Sequence, residues 1–147
     1  MGELDFENVV FGYGGNALFN GFSASFAKEQ ISCIVGPNGC GKSTLAKLAM
    51  GLIKPASGRV LIQGRDVASL NPRERARRLG VLVQQQEAPM MTVRELAACG
   101  RFPHHGPLSR LDETDAQCID ETLSLAGVYD LRDRPLRSLS GGQRQRA

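Results

Sequence analysis

The run Gly36-Pro37-Asn38-Gly39-Cys40-Gly41-Lys42-Ser43-Thr44 constrains this chain more than any other feature. It fits the pattern G-x-x-x-x-G-K-[ST], and its setting fits as well. Before it stands Ile31-Ser32-Cys33-Ile34-Val35, short, apolar and β-branched, which predicts a buried parallel strand with Cys33 in the core. After it Leu45, Leu48, Ala49 and Leu52 recur at helical spacing from a start near Lys42, and Gly51 marks the stop. Glycines let the main chain turn tightly and bring its N–H groups close to an anion, and the helix that follows adds its positive end. Asn38, Gly39, Cys40, Gly41, Lys42, Ser43 and Thr44 are therefore the candidate residues for holding a nucleoside triphosphate. In that reading Lys42 reaches the β- and γ-phosphates and the Ser43 hydroxyl ligates Mg²⁺. The bland alternative is a chance glycine-rich turn, and so full a match between a strand and a helix argues against it.

The remaining pattern alternates strands with helices. Residues 3–11 read as a strand with Leu4, Phe6 and Val9 inward, and Gly12, Gly14 and Gly15 as a turn. Phe22–Phe26 alternates apolar and small polar residues, Arg59–Gln63 is a short strand closed by a turn at Gly64, and Val81-Leu82-Val83 reads as a second buried strand. Asn71-Pro72-Arg73-Glu74 and Thr92-Val93-Arg94-Glu95 are capping boxes that open helices, the second ended by Gly100. Arg101–Ser109 is a loop, and residues 112–126 form an amphipathic helix on Ala116, Ile119, Leu123 and Ala126. Such alternation argues for an α/β fold with a largely parallel sheet.

Charge and cysteine content narrow the function. The net charge of +3 is spread along the chain without a basic block, and aromatics make up only 5%, so a nucleic-acid surface is not expected. The four cysteines form no Cys-x-x-Cys pair and suit reduced thiols rather than a disulfide framework or metal site. His104 and His105 invite a metal reading, which the want of a nearby carboxylate or thiol partner in their loop disfavours. The acidic opening Met1–Asp5 is unlike a signal peptide, Gly2 lacks the context of a lipidation site, and no window approaches the roughly 18 apolar residues of a membrane span. Membrane association would run through a partner.

A second anion grip follows from Leu139-Ser140-Gly141-Gly142-Gln143. Ser140 is an N-cap with Gln143 completing a capping box, and two glycines leave first-turn N–H groups open to an anion. A plain helix cap with a glycine hinge is the alternative.

Taken with the phosphate loop, this run resembles the signature motif of the ATP-binding-cassette (ABC) family, and the resemblance covers essentially the whole chain. It implies a P-loop NTPase fold with a mixed sheet around the phosphate-loop helix plus a helical subdomain. Residues 1–86 would be the catalytic-core part and residues 87–147 the helical subdomain ending in the signature motif. Tyr13 falls where the family stacks an aromatic on adenine, the alternative being a tyrosine that merely closes the turn. Gln84 falls where the family has the glutamine that approaches Mg²⁺ and the attacking water; Gln85 and Gln86 leave the register open by one, and a solvated glutamine-rich turn is the alternative. Val83 stands where the suspected branch usually has Pro.

Arg77-Arg78-Leu79-Gly80-Val81-Leu82 before Gln84, Gly100-Arg101-Phe102-Pro103-His104, and later Asp112 to Asp115 are similar to ATPase subunits of bacterial iron-chelate (siderophore, haem) and cobalamin importers. The resemblance implies an ATPase using ATP and Mg²⁺ at the cytoplasmic face of the membrane. Its partners would be transmembrane permease subunits, a second ATPase subunit that sandwiches two ATP molecules, and indirectly a substrate-binding protein. Ser140, Gly141, Gly142 and Gln143 would close on nucleotide held by the other subunit. The family's later strand ending Asp-Glu and its later His are not among these residues. The expectation is therefore that this stretch binds ATP with little hydrolysis and leaves an open, aggregation-prone apolar edge. Two rivals stand beside transport. One is a cassette ATPase of translation or DNA repair, disfavoured by the lack of a coiled-coil insertion or zinc-type cysteines between Lys42 and Ser140. The other is a nucleotide-gated interaction module.

Overall fold

The computed structural model describes residues 2–82, 88–105 and 110–147. The chain divides into two compact units, one up to Val81 and one from Leu82 on.

The first unit is built on two hairpins. Strands β1 (Leu4–Tyr13), β2 (Asn16–Phe26), β3 (Ser57–Ile62) and β4 (Arg65–Asp66) form one sheet in the order β2-β1-β3-β4. Every pairing in it is antiparallel. The corners need residues with positive φ: Gly14 and Gly15 (φ 56° and 87°) join Tyr13 to its partner Asn16, and Gln63 and Gly64 (φ 51° and 75°) join Ile62 to Arg65. Two successive positive-φ residues give the primed turns whose twist matches that of paired strands. Helix α1 (Lys42–Ala49) lays Leu45, Leu48 and Ala49 against Phe6, Val9, Val60 and Ile62 of the sheet. Phe6 meets Phe22 and Phe26 of β2 edge-on, with ring centroids 5.8 and 6.1 Å apart. Helix α2 (Pro72–Ala76) starts at the Asn71–Glu74 capping box, as its sequence foretells.

The largely parallel sheet expected from the alternation of elements is not what these residues form. Ile31–Val35 is not a strand, and Ile31, Ile34, Val35 and Cys33 are exposed. Val81 and Leu82 are likewise exposed and unpaired, and Val83 lies outside the described residues. A buried parallel strand needs partners on its flanks and cover on both faces. The described strands instead pair with one another, Ile31–Val35 and Val81–Leu82 pair with none of them, and Cys33 is not a core residue. Leu52, placed on the α1 stripe by spacing, lies past the end of the helix and is exposed.

The second unit is helical. Helix α3 (Val93–Cys99) is opened by the Thr92–Glu95 capping box, α4 (Glu113–Leu125) by an Asp112–Asp115 box and α5 (Gly141–Arg146) by the Ser140–Gln143 box. Hydrogen bonds from the Thr92 main chain and hydroxyl hold the Glu95 carboxyl below its ordinary value. Its core is Ala88, Val93, Ile119, Leu123, Val128, Leu136 and Leu139. Stretches of 88–94 and 132–136 run antiparallel beside each other. Val93 N–H donates to Arg134 O (3.2 Å), Arg94 N–H to Arg132 O (2.9 Å) and Leu136 N–H to Met91 O (2.9 Å). Arg94 also pairs with Asp120, tying α3 to α4.

Candidate functional site

Four of the five described α-helices close their first turn with their own side chains; α1 does not. α2, α3, α4 and α5 each carry a full capping box. At α1 the N-cap is Gly41, which has no side chain to cap with, and the first turn holds no acidic residue. The opening N–H groups of a helix need partners and favour negative charge. This helix start therefore favours negative charge and has no side-chain cap of its own to supply it.

The loop before α1 is shaped for close approach. Gly39 (φ 83°) and Gly41 (φ 100°) both sit in the left-handed region. A Cβ on Gly41 would come within 2.8 Å of Phe19 Cζ and 3.1 Å of Leu18 Cδ2, so the loop is seated against β2. The Lys42 ammonium turns back across the loop and donates to the carbonyl oxygens of Gly36 and Pro37, each at 2.7 Å, with Cys40 Sγ at 3.8 Å. The lysine thus stays close to its own loop while Ser43 faces solvent and Thr44 is buried at 8% exposure. Asn38 and Cys40 are exposed on the same turn. Tyr13, half exposed at the hairpin corner, stands edge-on to Phe11 with centroids 4.9 Å apart.

The Ser140–Gln143 run, the second candidate anion site, belongs to the other unit. Ser140 Oγ accepts from Gln143 N–H at 3.3 Å, and Gln143 Oε1 accepts from Ser140 N–H at 3.0 Å. A Cβ on Gly141 or Gly142 would meet nothing within 4 Å, so the first turn of α5 is open on its outer side. Gln84, together with Gln85 and Gln86, lies outside the described residues.

Spacing alone did not reveal a buried charge cluster. Asp115, only 1% exposed, accepts from Arg101 Nε at 2.7 Å and from Asp112 N–H at 3.0 Å, and lies 2.7 Å from His105 Nε2. The His105 contact is close but lacks the alignment of a hydrogen bond. The Asp112 main-chain bond, then Arg101 and His105, hold the Asp115 carboxyl far below the usual carboxylate range against the pull of burial. Its hydrogen bond likewise raises Arg101. His105 therefore does have a carboxylate partner, contrary to the expectation from its loop. Among the described residues no group of three or more His, Cys, Asp or Glu could hold a metal ion. The Asp112-x-x-Asp115 spacing holds a capping signal that the sequence reading did not use, and nothing local announces that Arg101 and His105 fold onto it.

Comparison with known proteins gives this arrangement its context. The family model described as ABC transporter matches residues 19–147. The chain belongs to the ABC transporter family. Among ABC relatives, the iron(3+)-hydroxamate import ATP-binding protein FhuC of Bacillus subtilis is 36% identical over 147 residues, 99% of this chain and 55% of its own length. The ferric enterobactin transport ATP-binding protein FepC of Escherichia coli is 37% identical over 148 residues, 100% of this chain and 55% of its own length. The chain thus spans about half the length of these curated relatives. A solved nucleotide-free ATP-binding cassette from an ABC transporter superposes with a TM-score of 0.80 at 30% identity, over 99% of this chain and 62% of that one. The ABC-type P-loop fold, with its mixed sheet and helices, is therefore the fold to which these residues belong. Among the described residues no helix is long and apolar enough to cross a membrane.

Proposed function

We propose that this chain supplies the ATP-binding part of an ABC importer subunit that drives uptake of an iron chelate of the siderophore type. The observation that carries nucleotide binding is the first turn of α1, the one described α-helix start with no side-chain cap. A triphosphate supplies what that turn lacks. Main-chain N–H groups from Gly39 to Thr44 surround it, and Lys42, already beside the loop, exchanges a carbonyl partner for a phosphate oxygen. The exposed Ser43 hydroxyl and Gln84 are the groups that would hold Mg²⁺, which would neutralise charge on the triphosphate. Tyr13 offers its open face to adenine.

Ser140, Gly141, Gly142 and Gln143 act on the nucleotide of a second ATPase subunit. A helix that starts with two glycines can approach a γ-phosphate that another subunit holds. In this reading residues 1–86 bind and position nucleotide, and residues 87–147 carry the closing surface and face the transmembrane permease. The subunit sits peripherally at the cytoplasmic face of the membrane, and a substrate-binding protein delivers cargo from the other side. The siderophore class rests on the names of FhuC and FepC, matched along this whole chain.

Titrating the protein with a fluorescent ATP analogue, with and without Mg²⁺, tests the reading. Saturable, Mg²⁺-strengthened binding that Lys42→Ala removes is the expected result. Binding indifferent to both would overturn it. Cargo class is tested by deleting the gene and measuring uptake of radioiron as hydroxamate and catecholate chelates; unchanged uptake of each would reject the iron-chelate assignment.

A further inference from the structure

The stretch that leaves the glutamine run and the turn that precedes Ser140 are fastened together by one side chain. Arg137 Nε donates to the main-chain carbonyl of Ala88 at 3.0 Å, across 49 residues of sequence. Ala88 is the first described residue after the Gln84–Gln86 run. Arg137 lies in the short 3₁₀ turn Leu136–Ser138, immediately before Leu139 and Ser140. Leu136 and Leu139 on either side share a buried cluster with Ala88, at 2%, 4% and 8% exposure. The fastening continues outward. Leu136 N–H donates to Met91 O, Thr92 pairs with Pro135 in an antiparallel bridge, and Val93 and Arg94 N–H groups donate to Arg134 and Arg132 carbonyls. Arg137 is the side-chain bond at the end of this seam nearest both motifs.

We propose that Arg137 is a positioning residue for the signature helix: by gripping the Ala88 carbonyl it makes the exit from the glutamine run and the start of α5 a single mechanical piece. The inference rests on the proposed roles of Gln84 and Ser140 in nucleotide chemistry. The main-chain bonds of the seam stop at Met91 and Leu136; beyond them Ala88 meets Leu136 and Leu139 through apolar contact, which is non-directional and leaves this end free to slide. A guanidinium bonded to a carbonyl fixes a distance and an orientation. A displacement at Ala88 then reaches Ser140–Gly142 without being absorbed in the 136–139 turn. Arg137 touches no nucleotide in this scheme. It acts through the main chain of Ala88 and the hydrogen-bonded turn that sets the Ser140 cap.

The test uses the full-length subunit assembled with its permease, in wild-type, Arg137→Lys, Arg137→Met and Lys42→Ala forms. Arg137→Met keeps the aliphatic stem and loses the donor, and a charged bond of this kind is worth roughly a tenfold change in an equilibrium. Expected for Arg137→Met is a roughly tenfold fall in maximal ATP turnover, with ATP binding to the isolated subunit unchanged. Arg137→Lys, which keeps a charged donor for the carbonyl, should restore most of the turnover. Amide exchange should rise together at residues 88–91 and 140–143 in Arg137→Met. Turnover within twofold of wild type in Arg137→Met, or a rise in exchange confined to residues 136–138, overturns the proposal. If Arg137→Met fails to assemble, Arg137→Lys decides: joint loosening of both segments, graded with its turnover, supports the link, and turnover lost without such loosening refutes it. Turnover that survives Lys42→Ala would instead overturn the nucleotide reading itself, whatever Arg137 does.

Discussion

The carbonyl oxygen of Gly36 holds the ammonium of Lys42, six residues later, at 2.7 Å. The lysine is thereby kept at the mouth of its own loop, and its charge is met by main-chain carbonyls, with no carboxylate engaged among the described residues. Replacing it with alanine removes a charge-assisted donor that a phosphate oxygen would otherwise receive. Lys42→Ala should weaken ATP-analogue binding by roughly tenfold or more, with a melting temperature close to wild type. Calorimetric titration and a thermal melt on the same sample separate the two effects.

Gly41 combines a φ of 100° with a neighbour 2.8 Å from where its Cβ would lie. Gly41→Ala must strain the backbone or displace Phe19, at a cost of about 1–3 kcal/mol. Urea unfolding should show this loss, and nucleotide binding should fall with it because α1 can no longer start in place. Gly141→Ala, with open space around its Cβ, should leave stability almost unchanged.

Leu48, 1% exposed, is the residue of α1 most enclosed by the sheet. Leu48→Ala should destabilise the first unit by about 2–5 kcal/mol through lost burial and the cavity left behind. Chemical denaturation monitored at a probe on that unit measures it.

Asp115 makes the second unit's stability depend on acid pH. Its folded carboxyl is held far below the unfolded value, so the stabilisation is fully present above the unfolded value and is lost as pH falls through the folded one. Urea midpoints should therefore decline between about pH 5 and pH 1, and Asp115→Asn should flatten that decline. At neutral pH Arg101→Ala should destabilise more than Arg94→Ala. The first strands a buried carboxylate, whereas Asp120, the partner of Arg94, is about one-third exposed and can be hydrated.

The sequence revealed helix starts better than it revealed strands. Asn71–Glu74, Thr92–Glu95 and Ser140–Gln143 were readable because a capping box is complete within four residues. The glycines of the phosphate loop were readable for the same reason: left-handed φ values are a local demand. Ile31–Val35 and Val81–Leu82 carried an equally clear apolar signal, yet whether such a run is a buried strand depends on neighbours remote in sequence. Arg101, His105 and Asp115 were each visible but not as a group, since their meeting requires the chain after α3 to return onto α4. The Arg137–Ala88 bond, spanning 49 residues, belongs to the same class of contact that no local pattern announces.

The glycine that opens α1 in place of a Ser, Thr, Asp or Asn also links this protein's folding to its ionic surroundings. An anion that settles on those uncapped first-turn amides prefers the folded state to the unfolded one, and mass action converts that preference into stability. Phosphate, sulfate and nucleotide should then rank as stabilisers in the order of their fit, and each should displace the others. A buffer salt is thus a competitor for the same turn of helix, and an apparent affinity for ATP measured in phosphate will describe an exchange of anions.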